Sequence, residues 1–326
     1  MIDIIISAKS DATLPAVEYT LYSIAPYDAG SVIIVVDNSL RDVITADTIN
    51  KTLPLNIIIV YHENRVSEES HIANFFQGLQ IQGNNINPYV LFLKAGDTLC
   101  GQQVLFDIIY HYLLQPYNEE EERNDNNLII IGNVLNNSNF SLYSENALLL
   151  QGIVFNRKFL EYYFFDQEFN DDIEFALLTY FVLAQENCPY TVFHYDHDFI
   201  SLNDHNKLHN IGLGCRHFFE EFFPDQPFFN AEKGIGLIYQ IIVKSYITYI
   251  EAINYDIPVE EMQNIIADIL SFYSFFKGLE LNSLELLLDK YNTLMKEVYT
   301  SPNNAFIKTI PSLTFIEFLD EMNKLT

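Results

Sequence analysis

An α/β fold with an all-helical C-terminal extension is what this sequence predicts, and three observations predict it. Over about the first 115 residues, short β-rich runs alternate with amphipathic segments, the pattern of a sheet flanked by helices. Beyond the first, which carries Asp3, the runs have an unbroken apolar stretch, as strands covered on both faces do. From Cys215 onward the periodicity changes, and Gly236 to Ile253, Val259 to Lys277 and Ser283 to Tyr299 place apolar residues at steps of three and four. The expected division is 1–214 for the α/β domain and 215–326 for the helices. With 326 residues, 49% of them hydrophobic, the chain can bury a sizeable core.

The elements follow in order. Ile2 to Ile6 reads as the first strand, and a helix is expected over Pro15 to Ile24, where Pro15 suits a first turn. Ser31 to Val36, Asn56 to Tyr61 and Tyr89 to Leu93 are the next three strands. Between the last two, Ser67 to Leu79 reads as a helix, its N-cap at Ser67 followed by Glu68 and Glu69 where the macrodipole favours acids. Asn118 to Asn127 is a polar, acidic loop, after which Leu128 to Ile131 resumes as a strand and Leu148 to Phe155 leads back to the same sheet. The alternation through Val192 to Phe199 is that of a strand with His194 and His197 on its polar face.

Composition narrows the function classes. With 44 acidic against 17 basic side chains the net charge is -27, a field that repels nucleic acid and anionic lipid and favours solubility or a basic protein partner. The 26 Phe and 21 Tyr are expected mostly in the core. Cys100, Cys188 and Cys215 are odd in number and widely spaced, so neither a disulfide framework nor a structural zinc site is expected. No apolar stretch reaches the ~18 residues of a membrane span, and Met1 to Ile6 lacks a signal peptide's basic start, which makes a cytoplasmic protein the expectation. Phosphate-loop, dinucleotide and nucleophile-elbow signatures are absent from the sequence.

The scarce cations point to a ligand. Residues 1–117 hold five, Lys9, Arg41, Lys51, Arg65 and Lys94, and all except Lys51 fall just after an expected strand end. Ligands of open α/β sheets bind outside those ends. An anionic ligand such as a nucleotide diphosphate fits that placement, although loops are also simply where charged residues live.

Several motifs resemble, in order, those of the GT-A type glycosyltransferases of family 2. These are the opening strand Ile2 to Ile6, Val35-Val36-Asp37-Asn38-Ser39, His62-Glu63-Asn64-Arg65-Val66-Ser67, Phe92-Leu93-Lys94-Ala95-Gly96-Asp97, Gly152 to Leu160, and Phe165-Asp166 followed by Asn170-Asp171-Asp172-Ile173-Glu174-Phe175. The resemblance covers about residues 1–205 and implies a GT-A domain with a mixed sheet. It implies transfer of a sugar from a nucleotide-sugar donor, UDP-type above all, to a glycan or protein-glycan acceptor in polysaccharide biosynthesis or protein glycosylation. Asp172 would be the general base of an inverting transfer, with Asp171 in place of the usual glutamate. The donor would lie near Asp37, Asn38, Lys9, Arg65, Lys94 and Asp97.

The family's metal loop departs from its pattern here, since Lys94 and Gly96 stand where carboxylates usually hold Mn2+ or Mg2+. Asp97 and a late histidine, His205 or His209, are the implied metal ligands, and a positioned Lys94 ammonium could replace the ion in a metal-independent enzyme. Ser7-Ala8-Lys9-Ser10 and Ser70-His71 also depart from the pattern. Two readings remain: an active glycosyltransferase, or an inactive GT-A-like protein that docks a partner through its acidic surface or C-terminal helices. The plain reading of Asp171, Asp172 and Glu174 is an acidic helix start.

Overall fold

The computed structural model describes residues 2–25, 30–49, 52–62, 71–81, 87–100, 127–135, 141–143, 149–165, 169, 172–183 and 188–203. The expected C-terminal helices, the acidic segment 118–126 and Cys215 lie outside them. Backbone contacts divide the chain into units 1–206 and 207–326.

Nine strands among the described residues form one mixed sheet in the order β3-β2-β1-β4-β8-β6-β9-β5, with β7 beside β6. They are β1 (Ile2–Ala8), β2 (Ser31–Asp37), β3 (Asn56–His62), β4 (Tyr89–Lys94), β5 (Thr98–Leu99), β6 (Leu128–Leu135), β7 (Ser141–Tyr143), β8 (Ile153–Asn156) and β9 (Thr191–Ser201). β3, β2, β1 and β4 run parallel. β8 is antiparallel to both β4 and β6, so the strand direction changes beside β4. The expected strands are all present, each longer by a residue or more at its C-terminal end. β5 and β7, two and three residues long, are too short for a periodicity to reveal.

The helices are α1 (Leu14–Ile24), α2 (Ile72–Gln80), α3 (Arg157–Tyr163) and α4 (Asp172–Leu183). α1 starts as expected: Thr13 caps it by accepting from the Ala16 N–H at 3.3 Å, and Pro15 lies in its first turn. α2 begins at Ile72, and the expected start at Ser67 lies outside the described residues. Its N-cap is His71, whose ring is turned away to Ser7 and makes no cap bond. α2 packs on β1, β2 and β3 through its small Gly78, where an added Cβ would meet Ile5 Cγ2 at 2.6 Å.

The aromatic side chains go where the composition places them. Phe75 of α2, Phe92 of β4, Phe155 of β8 and Phe175 of α4 are fully buried and mutually packed, with ring centroids of Phe75 and Phe92 5.0 Å apart. Phe164 and Phe169 close on Phe175 at 4.9 Å each. This cluster fixes α4, and with it Asp172, over the sheet.

At the opposite end of the sheet sits a buried ion pair. Asp3 of β1 accepts from the Ser31 backbone N–H at 2.8 Å, from Asn87 Nδ2 at 2.6 Å and from Arg157 Nη2 at 3.3 Å. Arg157 also donates from Nε to the Asn87 carbonyl at 3.1 Å. Asp3 is wholly buried and Arg157 nearly so. Nothing in the sequence singles out this pair.

Candidate functional site

The carboxyl ends of β1, β2 and β4 converge with the N-terminal ends of α2 and α4. Ser7 and Lys94 are partners in the β1–β4 ladder, so their side chains share one face of the sheet. Over that face, Lys94 Nζ lies 3.4 Å from Asp172 Oδ2. The other carboxylate oxygen of Asp172 accepts the His71 backbone N–H at 2.7 Å.

Four of the sequence-predicted site residues therefore come together around Lys9: Lys94, Asp37 and Asp172 each lie within its electrostatic reach, and Lys94 pairs with Asp172. Burial pushes the Lys9 ammonium below its ordinary value, against the attraction of Asp172, Asp37 and Asp11. Burial alone would push the Asp172 carboxyl up; the Lys94 ammonium, helped by the His71 backbone N–H, outweighs it and holds the group below its ordinary value. Asp172 is thus ionised at neutral pH and, paired this way, a weak base.

Asp37 caps the short 3-10 helix Asn38–Leu40, its Oδ1 accepting from the Ser39 N–H at 2.8 Å and the Ser39 hydroxyl at 2.6 Å. Asn38 beside it is exposed. Arg41 lies over the Tyr61 ring at 5.3 Å, bracing the loop after β2 rather than joining the Lys94 group. Arg65, Asp171, His205 and His209 lie outside the described residues.

Asp97 is placed differently from a ligand-facing acid. It is 3% exposed; Oδ2 accepts from the Lys94 N–H at 2.9 Å and from Gln151 Nε2 at 3.4 Å, and Oδ1 from the Asn203 N–H at 3.1 Å. Burial pushes its carboxyl up, opposed by those N–H groups. Its carboxylate thus closes the turn that carries Lys94 and Gly96, whose φ of 101° only glycine adopts without strain. A divalent ion at Asp97 would have to displace three hydrogen bonds, and the nearest side chain on the loop is a lysine. The described donor set does not fit a divalent cation, and no cluster of three His, Cys, Asp or Glu side chains suited to one occurs among the described residues.

Sequence reasoning missed a polar chain beneath the ion pair. Asn74 Nδ2 donates to Ser7 Oγ at 2.9 Å and reaches the Val35 carbonyl at 3.5 Å, which fixes the amide's orientation. Its Oδ1 then accepts from His62 Nδ1 at 3.1 Å. Ser7 Oγ meets His71 Nδ1 at 2.8 Å. The signal available was that Ser7 and His71 stand where the GT-A pattern is broken.

No protein-family model and no curated protein sequence matches the chain. Solved structures do. The crystal structure of S. aureus TarS, a glycosyltransferase, superposes with a TM-score of 0.51 over 90% of this chain at 12% identity. A structure of TarS 1-349 gives 0.50 over 90% at 13% identity, covering 83% of that chain. The fold is of the GT-A type. Only the fold is shared at such identity, and the chain spans about half the length, 52%, of the longer TarS chain. In this GT-A frame the Lys94–Asp172 pair lies at the sheet edge where ligands of α/β folds bind. No helix among the described residues is long and apolar enough to cross a membrane.

Proposed function

We propose that the chain is a glycosyltransferase that holds a nucleotide-sugar donor, UDP-type, with lysines and uses Asp172 as the base of an inverting transfer. The observation that supports this reading is the 3.4 Å ion pair between Lys94 and Asp172 at the strand ends of a GT-A fold, with Lys9 and Asp37 beside it. The acceptor hydroxyl oxygen forms the new bond to the anomeric carbon. The old carbon–oxygen bond breaks with its electron pair leaving on the diphosphate, and the hydroxyl proton passes to Asp172. Lys94 offsets the charge that grows on the diphosphate.

The ion pair couples the two halves of that step. An arriving diphosphate competes with Asp172 for the Lys94 ammonium, and a carboxylate that loses its cation in a half-buried site becomes a stronger base. Donor binding thereby prepares the base, so the acceptor is expected to react only after the donor has bound.

Calorimetry with UDP-, GDP- and CDP-sugars, alongside product detection with manganese or with chelator, tests the reading. Asp172→Asn is expected to keep donor binding and to lose on the order of 10²- to 10⁴-fold in transfer. Lys94→Ala is expected to lose donor binding, with chelator changing nothing in the wild type. Failure to bind any of these sugars would remove the enzyme reading. A second reading, a GT-A protein that binds without transferring, is favoured by both Asp172 oxygens being engaged. Binding without hydrolysis or transfer would establish it.

A further inference from the structure

The ring of His71 is not accounted for by the Lys94–Asp172 chemistry, and the polar chain beneath it assigns its proton. Asn74 Nδ2 donates to Ser7 Oγ, so the serine hydroxyl has its own hydrogen to place. The acceptor within reach is His71 Nδ1, at 2.8 Å. A nitrogen that accepts cannot carry the proton, which leaves the hydrogen of the neutral ring on Nε2. That edge makes no hydrogen bond among the described residues, and the residue is half-buried, not sealed.

We propose that His71 is a donor-binding residue, presenting an uncharged Nε2–H to a diphosphate oxygen of the ligand that Lys94 and Lys9 attract. This rests on the glycosyltransferase reading of the same site. Among the described residues the charged groups facing the ring are Lys94 from β4, Lys9 after β1 and Asp172 from α4, with His62 linked to it through Asn74 and Ser7. Burial, then the Lys94 charge, pushes its pKa down to about 3, which favours the neutral ring. The Ser7 bond has the same effect, because protonating Nδ1 would cost it. The site thus pairs two charged holders with one neutral donor of fixed direction.

Affinity of the full chain for UDP, with inorganic pyrophosphate as a second probe, decides the matter together with the imidazole nitrogen resonances of His71. In the wild type the nitrogen spectrum is expected to show the Nε2–H form. His71→Ala is expected to weaken UDP on the order of tenfold to a hundredfold, the range for a hydrogen bond to a charged group. Gln places an amide where Nε2 stands and Asn where Nδ1 stands, so His71→Gln should restore most of the affinity and His71→Asn should not. Ser7→Ala, which keeps the ring, should lose the single tautomer and weaken UDP. UDP binding unchanged in His71→Ala, rescue by Asn instead of Gln, or an Nδ1–H wild type would each overturn the role of His71 while leaving the enzyme reading standing. No binding of UDP or pyrophosphate to the wild type would overturn both.

Discussion

At the scale of single residues, the loop after β4 separates two acids that a sequence treats alike. Asp97 spends its carboxylate on two backbone N–H groups and Gln151, whereas Asp172 faces the Lys94 ammonium in a partly exposed site. Asp97→Asn would leave at least one buried N–H facing an amide that cannot accept, and is expected to cost about 1–3 kcal/mol in urea unfolding. UDP affinity should fall little in that variant; a large specific loss would return Asp97 to the donor site. Asp172 has a depressed folded value, so its contribution to stability is complete above the ordinary carboxylate value of 3.8 and is lost as pH falls through the lower folded one. The stability gap between wild type and Asp172→Asn should therefore close on acidification, as urea titrations across that range would show. The sequence put both acids on one list because loop acids share a composition, and only the direction of the carboxylate tells them apart. His71 escaped for a related reason: its role depends on Ser7, 64 positions away in the chain.

Elements were the most legible level. β1 to β4 are dominated by apolar residues, so hydrophobicity located them, and α1 announced itself through Thr13 and Pro15. α2 begins at Ile72, after a His71 held by tertiary partners that no local capping signal reveals. The fit of α2 to the sheet depends on Gly78, and Gly78→Ala would drive a methyl into Ile5 of a strand that cannot retreat. A loss of about 1–3 kcal/mol is expected in chemical denaturation. UDP binding should weaken too, because α2 carries His71 and Asn74 at its N-terminal end. An unchanged unfolding midpoint would show that the α2–β1 contact relaxes freely.

For the whole molecule, the charge of -27 works against the ligand it is proposed to bind. An anionic nucleotide sugar is repelled at long range and attracted only within the reach of Lys9 and Lys94. Salt screens the first effect more than the second, so the association rate of UDP is expected to rise by a few fold between ~0.01 and ~0.1 M salt, as the screening length falls from ~30 to ~10 Å. Stopped-flow fluorescence with a labelled nucleotide would measure it, and a falling rate would mean that the local cations govern approach as well as capture. The parallel half of the sheet has another property that follows from how evenly apolar its strands are. A strand greasy on both sides has no inward and outward residues, and a slip by one position would cost it little hydrophobic energy. Threading must then be set by something polar, and Asp3 is placed to set it, touching Ser31 at the start of β2, Asn87 just before β4 and Arg157 at the start of α3. That carboxylate acts as an alignment mark for three segments at once. The pairing of Ser7 with Lys94 farther along the strands then follows from the hydrogen bonds of one carboxylate four residues back.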